Sequence, residues 1–144
     1  MRTVKDILRA KGSKVYSIAP DATVYEALSR MADKNVGAML VFEGNDLVGL
    51  ISERDYSRKT ILKGRLSKET AVREIMTTEM VTVHPDDDIE DCMELFTDKH
   101  VRHLPVIEKG KVVGIVSIGD IVKSIIDSKE LIISELENYI KGKR

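Results

Sequence analysis

The chain has 144 residues, 42% hydrophobic and 33% charged, with 23 Lys and Arg against 24 Asp and Glu. That length suits one compact domain or two small halves sharing a core, and a net charge of −1 gives no global positive field to draw it to DNA, RNA or an anionic membrane. No apolar run approaches the ~20 residues of a bilayer span, the opening Met1-Arg2-Thr3-Val4-Lys5-Asp6 lacks the apolar core of a signal peptide, and the one cysteine, Cys92, forms no intrachain disulfide, which suits a reducing cytoplasm.

In chain order, an amphipathic lead-in at Val4-Lys5-Asp6-Ile7-Leu8 precedes a short extended segment, Tyr16-Ser17-Ile18, ended by Pro20. Thr23 and Glu26 have the spacing of a Thr-x-x-Glu capping box, and the helix they start carries Val24, Ala27, Leu28 and Met31 on one face. Two apolar runs follow, Ala38 to Phe42 and Leu47 to Ile51, joined by the hairpin signal Glu43-Gly44-Asn45-Asp46. The order then repeats. A second lead-in, Val72-Arg73-Glu74-Ile75-Met76, precedes the extended segment Val81-Thr82-Val83, ended by Pro85. Asp88 stands as helix cap before Ile89, Cys92, Met93 and Phe96. Cys92 on that apolar face reads as a small core residue and not a nucleophile. Leu104-Pro105-Val106-Ile107 and the run from Val112 to Val116 form a second hairpin around Glu108-Lys109-Gly110-Lys111. The tail carries a helical stripe of Val122, Ile125, Ile126, Ile132, Ile133, Leu136, Tyr139 and Ile140, ending at Gly142. It is longer than one small unit needs. Covering a partner subunit and packing back on its own domain both account for it.

The two halves align without a gap at an offset of 65 residues from about Val15 to Arg58: Pro20-Asp21 meets Pro85-Asp86, Val48-Gly49 meets Val113-Gly114, Ser52 meets Ser117 and Asp55 meets Asp120. The lead-ins match at an offset of 68, so the first copy carries three extra residues near Lys11-Gly12-Ser13-Lys14. Each unit reads as strand, helix, strand, strand, helix: a mixed α/β fold, with residues 1–65 the first repeat and its lead-in helix, 66–127 the second repeat and its lead-in, and 128–144 a helical extension. A half-unit of about 60 residues makes a poor core alone, so the two should pack together.

Both repeats end in Gly-x-x-Ser-x-x-Asp, at Gly49, Ser52 and Asp55 and at Gly114, Ser117 and Asp120. Ser-x-x-Asp at a strand-to-helix junction is a capping box, which would recur for stability alone. The same geometry also suits a ribose, whose two vicinal hydroxyls a carboxylate can accept, while free amides and the positive helix end favour a phosphate nearby. A glycine within the strand lets another group approach the backbone. Neither a P-loop nor Gly-x-Gly-x-x-Gly is present, and His84, His100 and His103 lack metal-ligand spacing with Cys92.

With these motifs the chain resembles the CBS-domain family over essentially its whole length. The strings Ile51-Ser52-Glu53-Arg54-Asp55-Tyr56, Arg102-His103-Leu104-Pro105-Val106 and Ser117-Ile118-Gly119-Asp120 resemble stand-alone bacterial two-repeat members. The resemblance implies a pseudo-twofold pair, dimerised, with clefts that hold AMP, ADP, ATP, NAD(H) or S-adenosylmethionine. Carried over, Asp55 and Asp120 become ribose ligands with Ser52 and Ser117 beside them. Ile18, Ala38 and Met39, or Val83 and Leu104, would surround adenine. Phosphate contacts fall to Arg54, Arg102 and His103, then Arg58 and Lys59, with surface or capping roles the plain alternative. The expectation is a non-catalytic, cytoplasmic, homodimeric sensor of adenine nucleotides that needs no cofactor or metal, binds neither nucleic acid nor membrane, and serves an unidentified regulated protein. A ligand-free interaction module and an S-adenosylmethionine binder are the alternatives.

Overall fold

The computed structural model describes residues Arg2 to Lys141. In order, its elements are α1 (Val4–Lys11), β1 (Ser17–Ile18), α2 (Val24–Lys34), β2 (Ala38–Glu43), β3 (Asp46–Ser52), α3 (Glu53–Lys59), α4 (Val72–Ile75), α5 (Ile89–Lys99), β4 (His103–Glu108), β5 (Lys111–Ser117) and α6 (Ile118–Ile140). A single 3-10 turn spans Ile61–Lys63. The mixed helix and strand composition expected from the sequence is the composition found. The expected helix end at Gly142 lies outside the described residues.

The chain divides into two compact units. One is Lys14–Met80; the other joins Met1–Ser13 to Val81–Arg144. In the first unit β1 pairs parallel to β2, and β2 antiparallel to β3. Helix α2 starts where Thr23 Oγ1 accepts the Glu26 N–H at 3.1 Å. Helix α2 carries that single capping bond without the reciprocal one from the Thr23 amide to the Glu26 carboxylate, and its first-turn amides of Val24 and Tyr25 donate to Thr70 O and Ser67 O. The core collects Ile18, Val24, Ala27, Met31, Met39, Val41 and Ile51, together with Val72 and Ile75 of α4.

The second unit repeats the plan with α1 in the place of α4. Val4 and Ile7 join Val83, Ile89, Cys92, Phe96, Leu104, Val106, Val116 and Ile121 in its core. The chain division at residues 65 and 66 gives each lead-in to the repeat it precedes; the packing gives each to the other repeat. Backbone bonds hold the arrangement. Val4 and Lys5 donate to Asp87 O and Pro85 O, while Val72 and Arg73 donate to Ala22 O and Pro20 O.

Two expectations for this unit change. The extended entry Val81-Thr82-Val83 narrows to one bridge, Val83 against Val106. In the first unit the Leu40 N–H donates to Tyr16 O. The corresponding residue of the second repeat is Pro105, which has no N–H to extend the ladder. Asp88 stands at the N-cap of α5, but its side chain makes no capping bond. The Ile89 amide donates instead to Arg2 O. Cys92 is fully buried, and burial with the charges of Asp87, Asp91 and Asp88 pushes its thiol up to about 11. It is an inert core residue at neutral pH.

The strand glycines are explained by the exchanged lead-ins. A Cβ on Gly49 would stand 2.7 Å from Met76 Sδ and 3.1 Å from Thr77 O; one on Gly114 would stand 2.7 Å from Leu8 Cδ2. The close approach that glycine permits is taken by the lead-in segment of each unit.

Candidate functional site

Each unit turns a corner from strand to helix through Ser-x-x-Asp. At both corners the first helical amide reaches across to the residue before the neighbouring strand: Glu53 N–H to Gly37 O at 3.1 Å, Ile118 N–H to Arg102 O at 3.0 Å. Both serines are N-caps with full capping boxes. Ser52 Oγ accepts from the Asp55 amide, and Ser117 Oγ from the Asp120 amide, at 3.1 Å in each case. The aspartate returns the bond to the serine amide, at 3.0 Å for Asp55 and 2.8 Å for Asp120.

Beyond that shared box the corners diverge. The Asp55 side chain is 10% exposed. Its Oδ2 also accepts from Ser52 Oγ at 3.1 Å, while Oδ1 accepts from Thr77 Oγ1 at 3.2 Å and faces Lys59 Nζ at 3.0 Å. Lys59 comes from the same helix, one turn on, and also donates to Ile75 O. Both carboxylate oxygens are therefore engaged within the unit.

The Asp120 side chain is 24% exposed. Its Oδ2 takes the Ser117 amide and the ammonium of Lys11, the latter at 2.7 Å. Lys11 also donates to Ile115 O at 3.0 Å, so it spans the end of β5 and the start of α6. Partial burial opposes ionisation of Asp120, but the bond and charge of Lys11 with the bonds of Ser117 outweigh it and hold the carboxyl below its ordinary value. Where the first corner has Lys59, the second has Ser124, buried and with no hydrogen-bond partner for Oγ among the described residues.

The remaining expected ligand residues lie as follows. Ile18 and Met39 are in the core of the first unit, and Ala38 is also buried. Val83 and Leu104 are in the core of the second. Arg54 is half-buried on α3 and Arg58 exposed, while at the mouth of β4 Arg102 is exposed and His103 half-buried. The cations that reach the carboxylates are Lys59 and Lys11, not the arginines. Lys11 and Thr77 escaped the sequence reading. Their positions depend on which sheet each lead-in covers, and the glycines at 49 and 114 were the available cue that something approaches there. Among the described residues no group of three His, Cys, Asp or Glu is placed to hold a metal ion, and no helix is long and apolar enough to cross a membrane.

Two like units, each with its strand–helix corner capped by Ser-x-x-Asp, define a tandem-repeat module. The model of the CBS-domain family matches residues 4–60 and again 72–127. The chain belongs to the CBS-domain family as a tandem pair, a regulatory module. It is 39% identical to the mitochondrial CBS domain-containing protein CBSX3 of Arabidopsis thaliana, over 97% of this chain and 72% of that protein. Among solved structures it resembles a protein with CBS domains from Burkholderia ambifaria MC40-6, at 46% identity and a TM-score of 0.85, covering 88% of this chain and 95% of that one. The CBS-domain containing protein ATU1752 from Agrobacterium tumefaciens is 33% identical with a TM-score of 0.82, covering 85% and 98%.

Proposed function

We propose that the chain is a non-catalytic, cytoplasmic sensor that binds an adenine nucleotide (AMP, ADP, ATP or NAD(H)) through its Ser-x-x-Asp corners, with Asp120 the more available ribose acceptor. The observation that carries this reading is the state of the Asp120 carboxylate. It is ionised, partly open to solvent, and fixed at the N-terminus of a 23-residue helix. A carboxylate so placed can accept two vicinal hydroxyls, and a helix N-terminus favours an anionic group nearby. Arg102 and His103 at the head of β4 and Arg54 at the first corner are the phosphate contacts in this reading, with Arg58 more distant. In this reading adenine lies against Ile18 and Ala38, or against Val83, which keep a little exposed surface, with the buried Met39 and Leu104 backing them from the core.

The CBS pair of protein MJ0100, 24% identical and alike in fold with a TM-score of 0.78, was solved with 5′-methylthioadenosine and S-adenosyl-L-methionine. Both carry an adenosine ribose. This supports an adenosine-type ligand and keeps S-adenosylmethionine as the competing choice. Self-association is part of the proposal. Ile132, Ile133 and Leu136 of α6 are each more than half exposed, and burying such a stripe against a second copy would remove apolar area from water.

A second reading has its own observation at the first corner. With both oxygens of Asp55 engaged and the group nearly buried, that box does what a cap does and needs no ligand. Mass spectrometry of small molecules released from the purified, denatured protein decides between the readings. An adenine nucleotide at a stoichiometric level is the expected result. Its absence, together with no binding at millimolar concentration, would leave only the ligand-free interaction module.

A further inference from the structure

We propose that Lys11 is an autoinhibitory latch on the Asp120 corner: its ammonium holds the carboxylate that ligand hydroxyls would use, so ligand binding releases the end of α1 and the connection that follows it. The proposal rests on the reading of Asp120 as a ribose acceptor and adds to it a means of transmission.

The geometry is asymmetric in a way that the capping boxes do not require. Asp55 is closed by Lys59, four residues along its own helix. Letting Lys59 go would move one side chain. Asp120 is closed by a residue 109 positions earlier in the chain. Lys11 is the last residue of α1, and Gly12 ends that helix with φ 97° while its amide still donates to Leu8 O at 2.8 Å. Ser13 ends the first segment of this unit, and Lys14 is the first residue of the other. Lys11 thus pins the point at which the chain leaves the unit. It also lies where the first repeat carries three residues that the second lacks, an insertion that the shared fold does not explain.

The magnitude suits a latch. The Lys11 and Asp120 side chains are 36% and 24% exposed, and ion pairs open to water are weak because solvation competes with them. A ligand that replaces one charge-assisted bond with two hydroxyl bonds can displace such a pair. The pair therefore tunes affinity by about two- to fivefold instead of blocking the site. The rest of α1 stays in place, because Val4 and Ile7 are buried in the core. Only its last turn and the residues after it are set free.

The test compares wild type with Lys11→Met, which keeps the length of the stem and removes the ammonium. Lys11→Arg serves as the charge-retaining control. Calorimetry uses adenosine, which has no phosphate for Lys11 to attract, and hydrogen exchange follows the amides of residues 9–13. The latch predicts that Lys11→Met binds adenosine about two- to fivefold more tightly while Lys11→Arg stays near wild type. It further predicts that adenosine speeds exchange at those amides in the wild-type protein. Equal or weaker binding by Lys11→Met, with wild-type exchange unchanged by adenosine, overturns the latch and leaves the Asp120 site standing. Failure of both proteins to bind adenosine, AMP or S-adenosylmethionine overturns the latch and the site together.

Discussion

The two Ser-x-x-Asp corners share one sequence pattern, yet the aspartate of one is nearly buried and that of the other is partly open to solvent beside a lysine of α1. At the first, Asp55 is nearly buried, with Ser52 and Lys59 from its own corner and Thr77 from the lead-in segment just after α4 as donors. At the second, Asp120 shares the capping box but leans on a lysine from α1, and the position matching Lys59 is the buried Ser124. The motif fixes the helix start in both repeats, and what surrounds the motif decides whether the carboxylate is free to do anything else. A Ser-x-x-Asp match alone is therefore weak evidence for a ligand, and the identity of the covering cation is strong evidence about availability.

The largest effects should come from the exchanged lead-ins, since they contribute core residues. Ile7→Ala and Ile75→Ala should each cost about 2–5 kcal/mol, as buried aliphatic truncations do. Hydrogen exchange should show Ile7→Ala loosening β4 and β5, and Ile75→Ala loosening β2 and β3. The opposite pattern would break the comparison at its root.

Next come the aspartates. Asp55→Asn should destabilise by about 1.5–3 kcal/mol, because a nearly buried acceptor of charge-assisted bonds is lost. Asp120→Asn should cost about 0.5–2 kcal/mol, the range of a cap change. Denaturant titration of the two variants measures both. Asp120 also sets an acid signature. Its folded value lies below the ordinary 3.8, so its stabilisation is complete above that value and is lost as pH falls through the lower folded one. Asp120→Asn should flatten that part of the acid unfolding curve, and an unchanged curve would mean that the Lys11 pair contributes nothing to stability.

The repeat register itself was legible, as were both hairpins, the caps at Thr23, Ser52 and Ser117 and the long final helix. Each rests on local chemistry that recurs at a fixed offset. The exchange of lead-ins was not legible, because the match of Val4 to Leu8 with Val72 to Met76 says that the segments are alike and not which sheet each covers. Lys11 went unseen for the same reason. Its two contacts lie 104 and 109 residues away, and no pattern within its own helix marks it. Arg102 looked like the cation of the second corner by position, yet the structure uses its backbone oxygen to start α6. Proline at 105 was visible in the sequence, but its consequence for the Val83 strand required knowing which strand lay beside it.

The smallest effects concern residues in the left-handed region. The first repeat places Asn35 and Gly44 there, at φ 54° and 63°; the second places His100 and Lys109 there, at φ 54° and 52°. Asparagine and glycine tolerate that region better than other side chains. Moving the first repeat's choices into the second, as His100→Asn and Lys109→Gly, should stabilise by up to about 1 kcal/mol each, the left-handed penalty relieved less, for glycine, its greater unfolded-state freedom. A thermal melt reads the gain, and a loss at either site would show that those side chains contribute more than their strain.

Calorimetric titration of AMP into the wild-type, Asp55→Asn and Asp120→Asn proteins tests the functional contrast between the corners most directly. At a temperature where all three are folded, Asp120→Asn should weaken AMP binding by about ten- to a hundredfold, while Asp55→Asn stays within about threefold of wild type. Wild-type affinity in Asp120→Asn, or a larger loss in Asp55→Asn, would contradict the proposal that Asp120 is the more available ribose acceptor.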